Sequence, residues 1–166
     1  MKGTGREAIR IKPHHFVDII SALGRGQTAF EPHPYGHAVH TVTVRLLEAP
    51  ESLLEIELGA DDVCRPCIHN VGGECDDTID TSYRPEASSS KQEYNLLVDE
   101  RWCERLRLRQ GQRLDARQFC RRLRQCAGDI GEIYREMPAD RVAKRAEELR
   151  AGVEKFLAAG GSNELH

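Results

Sequence analysis

Cys64-Arg65-Pro66-Cys67, followed by Cys75, places three thiols within twelve residues of a 166-residue chain. Such a C-x2-C-x7-C arrangement suits a metal ion or an iron–sulfur cluster once the thiols are deprotonated. Two intervening residues let one tight turn aim the first two sulfurs at a common point. Pro66 stiffens that turn, and Asn70, Gly72 and Gly73 let the chain reverse so that Cys75 returns. Three thiolates are one short of a closed tetrahedral set. The spacing therefore leaves two cofactors open. One is an iron–sulfur cluster, 4Fe-4S favoured, with a labile non-cysteine ligand at the fourth position. The other is a structural zinc ion completed by His15, His69 or Cys103.

Other groups with the right chemistry surround the triplet. Pro13-His14-His15 opens a predicted helix. Adjacent helical residues do not share a face, so one of the two histidines at most is expected to point at a metal. Asp18 lies one turn beyond His14, where a carboxylate either ligates or orients a ligating imidazole. His14, His15, Asp18 and Asp62, the last beside Asp61 just ahead of the cysteines, are the expected proton donors and acceptors. His69, in the pattern C-x2-C-x-H, is a candidate donor to sulfur or a fourth ligand. His33, His37 and His40 form a further group; with Gly36 starting a helix, His37 and His40 would share a face and, with Asp18, build a separate histidine–carboxylate site. The alternative for these three is an ordinary loop surface. Cys120 and Cys126, six residues apart on a helix, read as small buried hydrophobes.

The elements that must position these groups follow from periodicity. Ala8 to Lys12 alternates apolar and charged residues as a short strand does. Phe16, Ile19, Ile20 and Leu23 share one face of a helix begun by Pro13 and ended by Gly24 and Gly26. After a loop rich in Pro and His, Ala38 to Glu48 is read as a helix stopped by Pro50. Leu54, Ile56 and Leu58 alternate with glutamates in a second strand, and Gly59 closes it directly ahead of the cysteine loop. Pro85 to Ser90 is a loop. Ser90-Lys-Gln-Glu93 opens a helix to about Leu106, Asp115-Ala-Arg-Gln118 opens another towards Cys126, and Ala139 to Leu157 forms a long terminal helix. The expected fold is α+β and mainly helical: a small sheet of two or more strands, helices packed on it, and the cysteine loop at a strand end. One metal-binding domain is expected over residues 1–159, with a flexible tail over 160–166.

Composition narrows the function classes. A net charge of −3 gives no general reason to bind nucleic acid. Arginines cluster between Arg101 and Arg124, but no aromatic residues interleave with them as a base-stacking surface requires. No run approaches a membrane span and no apolar leader follows Met1, so no membrane role is expected. Six cysteines without such a leader fit a reducing cytoplasm. Gly24-Arg-Gly26 lacks the rest of a nucleotide-binding loop, and no Gly-x-Ser-x-Gly elbow occurs.

Ile11-Lys-Pro-His14-His15, Gly59-Ala-Asp-Asp62-Val-Cys64-Arg-Pro-Cys67 and Cys75 together resemble a family of short bacterial and archaeal proteins, the domain of unknown function 1284 family. Val98-Asp99-Glu, Leu106 to Gly111 and Leu114 to Arg117 resemble its C-terminal half, so the similarity covers roughly residues 9–125. The family pattern carries a further cysteine soon after the histidine pair and implies an iron–sulfur protein. Asp18 stands at that position here, and the stretch from Pro32 to His40 also departs, as in a divergent branch. The resemblance implies no activity. Three functions are thus expected to compete: a cluster protein in electron transfer or small-molecule and sulfur chemistry with a redox or small-molecule partner, a zinc-stapled interaction module, and a histidine-based metal hydrolase.

Overall fold

The computed structural model describes residues 6–159; the expected tail over 160–166 lies outside them. The chain runs β1 (Ile9–Ile11), α1 (Pro13–Gly24), α2 (Val39–Glu48), β2 (Leu53–Ile56), β3 (Asn70–Val71), β4 (Glu74–Cys75), α3 (Lys91–Leu106), β5 (Arg113–Asp115), α4 (Ala116–Cys126) and α5 (Ala139–Ala159). It is a small α+β fold, as the periodicity indicated.

The central sheet has the order β1-β2-β5. β1 and β2 are parallel neighbours, Ile9 opposite Leu54 and Ile11 opposite Ile56, while β5 runs antiparallel to β2. Parallel pairing makes the C-terminal ends of β1 and β2 coincide. The histidine pair that follows β1 and the cysteine loop that follows β2 therefore leave the sheet at one rim. β2 is shorter than its alternation suggested. Glu57 N still bonds Ile11 O, but Leu58 N turns to the Gln110 side chain and Gly59 N to Glu57 Oε1, which ends the ladder.

The sheet packs on α1 and α4 through Ile9, Ile11, Phe16, Ile20, Leu54, Ile56, Phe119 and Leu123, all at most 1% exposed. Helix α1 is fixed by α5 from its other side. A Cβ on Gly24 would lie 1.8 Å from Glu148 O, and one on Gly152 would lie 1.8 Å from Ile20 O. The two backbones touch there, which only paired glycines permit. Ser90 caps α3 by accepting from Glu93 N; Glu93 does not reciprocate but accepts from Ser88 Oγ, so the capping box is half formed. At α4 both halves form, between Asp115 and Gln118.

The arginines between Arg101 and Arg124 are largely spent on structure. Arg101 makes a bidentate pair with Glu136 and bonds Ile133 O, Arg113 pairs with Glu55, and Arg124 pairs with Glu154. Arg122 bonds the carbonyls of Leu106 and Arg107 at the end of α3. No helix among the described residues is long and apolar enough to cross a membrane.

Candidate metal centre

Pro13 occupies the first position of α1 without a side-chain cap from Lys12, so His14 and His15 fall in the first turn, where backbone donors have no partner within the helix. Two buried carboxylates complete this helix start. Asp99, on α3, accepts from His14 N at 2.7 Å and holds His14 Nδ1 at 2.8 Å. Asp61, at the rim of β2, accepts from Lys12 N at 2.7 Å, His15 Nδ1 at 2.7 Å and Cys64 N at 2.9 Å. Both acids are 0% exposed. A buried carboxylate with three donors is tightly bound to its place. Asp61 is thus the joint between strand, histidine and cysteine loop.

Each imidazole donates Nδ1–H to its own carboxylate and keeps Nε2 for other work. His15 Nε2 lies 3.9 Å from Cys64 Sγ. The two rings sit 4.2 Å apart, and both line the same cavity. Separate aspartates hold the two rings side by side, and of the two only His15 belongs to the group of close ligand atoms formed with Asp61 and Cys64.

The cysteine loop closes by a two-residue hairpin. Gly72 and Gly73 have φ of 62° and 90°, the left-handed pair that a tight hairpin turn demands, and Asn70 then pairs with Cys75. Gln92, on α3, accepts from Cys75 N at 2.8 Å and holds the returning strand. Cys64, Cys67 and Cys75, all half-buried free thiols, line the 440 Å³ cavity together with His14, His15 and Asp18. Its size is that of a small-molecule site. The three cysteines also border a smaller void of 20 Å³ beside Lys12 and Gln92.

Burial, the adjacent Asp61 and the nearby Cys75 push the Cys64 thiol up to about 12, with Lys12 opposing. Asp61 is held far below the usual carboxylate range; burial works against this, and His15 and the backbone donors of Lys12 and Cys64 outweigh it. His14 is raised although burial opposes it, because Asp99 lies against its ring.

Among the described residues, the group of three whose ligand atoms all lie within 4.8 Å of one another is His15, Asp61 and Cys64. The three sulfurs are therefore not all that close. One zinc ion with bonds of about 2.3 Å would draw tetrahedral thiolates to roughly 3.8 Å from one another. A cluster spreads its thiolates over separate irons and needs no such approach. The group that meets the 4.8 Å spacing therefore holds one thiol, Cys64, with His15 and Asp61.

The remaining expected residues divide clearly. Asp18 lines the cavity but pairs with Arg145 at 3.2 Å. His69 lines it with Nδ1 held by Asp76. Asp62 is not at the cavity: it accepts from Arg10 N at 2.9 Å and lies 3.8 Å from Arg65. The acid that faces His15 is its neighbour Asp61. Cys103 is buried in α3 and borders neither void, so it offers no fourth thiolate there. Helix α2 begins at Val39 rather than at Gly36, so His37 and His40 do not share a helical face. His37 lines the cavity and stacks on His33 at 4.3 Å, and burial followed by the charge of His33 and His15 lowers its proton affinity. Sequence reasoning missed Asp61 and Asp99 as site residues; an acid placed just past a strand end, ahead of the cysteines, was the one available signal.

Comparison with family models, curated proteins and solved structures finds no match for this chain.

Proposed function

We propose that this chain is an iron–sulfur protein that holds a cluster, of the 4Fe-4S type, on Cys64, Cys67 and Cys75, with a non-cysteine fourth position facing the cavity. The observation that carries the reading is the convergence of three thiols on one cavity, with no fourth cysteine lining it among the described residues. An iron not capped by thiolate would supply Lewis-acid or one-electron chemistry to a small molecule in the cavity. Kinship with the cysteine-cluster family, in which Asp18 would replace a cysteine, is part of this proposal.

The protein's own groups have definite tasks in it. Asp61 fixes the His15 ring with Nε2 3.9 Å from Cys64 Sγ, placed to hydrogen-bond that sulfur. Lys12 stands beside the thiols and opposes their negative charge. Asp99 holds His14 with Nε2 unbonded among the described residues, a proton donor or acceptor at the cavity wall.

A second reading has one specific observation behind it. Cys64 Sγ, His15 Nε2 and Asp61 form a continuous chain at 3.9 and 2.7 Å, the order of a thiol nucleophile, base and orienting acid. A Cys64 thiol pushed up to about 12 argues against a nucleophile poised at neutral pH. One experiment separates the two. Anaerobic protein is reconstituted with iron and sulfide, and alkylation of Cys64 by iodoacetamide is followed by mass spectrometry. Under the cluster reading, reconstitution protects Cys64, Cys67 and Cys75 together; a nucleophile without a cluster leaves Cys64 reacting first and unprotected.

A further inference from the structure

The cavity's cations are not balanced by its acids. Asp18 is paired with Arg145 and Asp77 with Lys91, each at 3.2 Å. Lys12 and Arg84, 6% and 8% exposed, line the cavity with no carboxylate within 4.0 Å among the described residues. Burying a cation without a counter-charge is costly, and proteins do it where a ligand completes the pair. Lys12 borders the three cysteines, whose thiolates would answer it once a metal is bound. Arg84 has none.

Arg84 is held as a presented fork. Its guanidinium lies over the rings of Tyr83 and Tyr94, at 4.8 and 4.6 Å, which positions it without using its donors. Nε donates to the backbone carbonyl of Asp80 at 2.9 Å, while the Asp80 carboxylate is exposed and accepts from Ser82 N. Nη1 and Nη2 have no hydrogen-bond partner among the described residues. A planar fork with free donors recognises an oxyanion by two parallel hydrogen bonds. Val39, Val63 and Ile79 offer apolar wall for the rest of a small molecule.

We propose that the cavity binds a small organic anion whose carboxylate or phosphate group pairs with the Arg84 guanidinium. This names the ligand class of the same cavity, and it rests on the cluster reading only for what happens to the ligand there. The anion site itself is made of protein groups, so it is measured with or without metal.

The test is isothermal titration of inorganic phosphate and of succinate into reduced metal-free protein and into protein reconstituted with iron and sulfide. Wild type is expected to bind one of the two anions in at least one form, and which one identifies the oxyanion. Arg84→Gln should weaken that binding about 10- to 100-fold. Arg84→Lys, which keeps the charge and loses the fork, should fall between them, and it decides the matter if the Gln variant does not fold. No binding of either anion in either form overturns the inference, as does a folded Arg84 variant that binds like wild type. Iron uptake without anion binding sinks this inference alone; anion binding lost in the variants, with no iron taken up, sinks the cluster reading alone.

Discussion

Replacing Asp61 with alanine should do far more damage than any other single acid at the site. The substitution removes the acceptors of three donors at once: Lys12 N and His15 Nδ1 at 2.7 Å, and Cys64 N at 2.9 Å. Two of those donors are backbone groups at a fully buried carboxylate, so water does not simply replace it. At about 1–3 kcal/mol for each donor left unsatisfied, the two backbone donors alone cost about 4 kcal/mol, the exposed edge of His15 being free to find water. For a chain of this length that lowers the melting temperature by roughly 8–16 °C. Asp61→Asn should cost about half as much. In one amide orientation its single oxygen still serves Lys12 N and His15 Nδ1, while its NH2 group meets Cys64 N–H. Metal retention should fall about 10- to 100-fold in the alanine variant, because His15 loses the partner that orients it. Asp62→Ala is the control. That carboxylate is half-exposed and bonds Arg10 N, so water replaces much of it and the cost is under about 1 kcal/mol. The assay is urea unfolding of metal-free protein, followed by iron retention against a chelator. If Asp61→Ala unfolds within about 1 kcal/mol of wild type, the buried joint between strand, histidine and cysteine loop does not hold the site together, and the reasoning is wrong.

Three further outcomes follow from the same structure. Gly152→Ala should destabilise by about 3 kcal/mol in thermal or urea melts, since the new Cβ meets the Ile20 carbonyl at 1.8 Å and neither backbone has room to yield. A stable variant would show that α1 and α5 do not touch there. Glu136→Gln should cost about 1–2 kcal/mol at neutral pH by breaking the mostly buried bidentate pair with Arg101. Arg101 holds the Glu136 carboxyl below its ordinary 4.5, so the pair's contribution is complete above that pH and fades as the pH falls through the lowered folded value. The gap between urea melts of the two proteins should therefore shrink as the pH is lowered below 4.5, and a gap that stays constant would place the contribution elsewhere. Cys67→Ser and Cys75→Ser should each lose most of the bound iron, whereas Cys126→Ser, whose sulfur contacts Arg122 O on α4 away from the cavity, should retain it.

Much of the scaffold was legible because long periodic segments carry their own signal. The α1 face of Phe16, Ile19, Ile20 and Leu23, the Asp115–Gln118 capping box and the Gly72-Gly73 turn all lie where local patterns put them. β5 was not legible, because Arg-Leu-Asp contains one apolar residue and takes its conformation from pairing with β2. Nor was the turn region holding Ile130, Ile133 and Tyr134, which is buried by tertiary contact, with Trp102 Nε1 donating to Tyr134 Oη at 3.1 Å. At the site, the cysteines and histidines stood out by type and spacing. Their orienting acids did not. Asp99 is 85 residues from His14, and nothing in the composition of α3 marks it off from the neighbouring Glu100. Asp61 and Asp62 are adjacent and alike in type, and only the path of the chain beyond β2 turns Asp61 towards His15 and Asp62 towards Arg10 N.

The cluster reading is tested most directly by iron and acid-labile sulfide analysis of the anaerobically reconstituted chain, with an electronic spectrum of the same sample. The account predicts about four irons and about four sulfides per chain and a broad visible absorption that Cys75→Ser abolishes. A colourless protein holding about one zinc ion and no sulfide would contradict it.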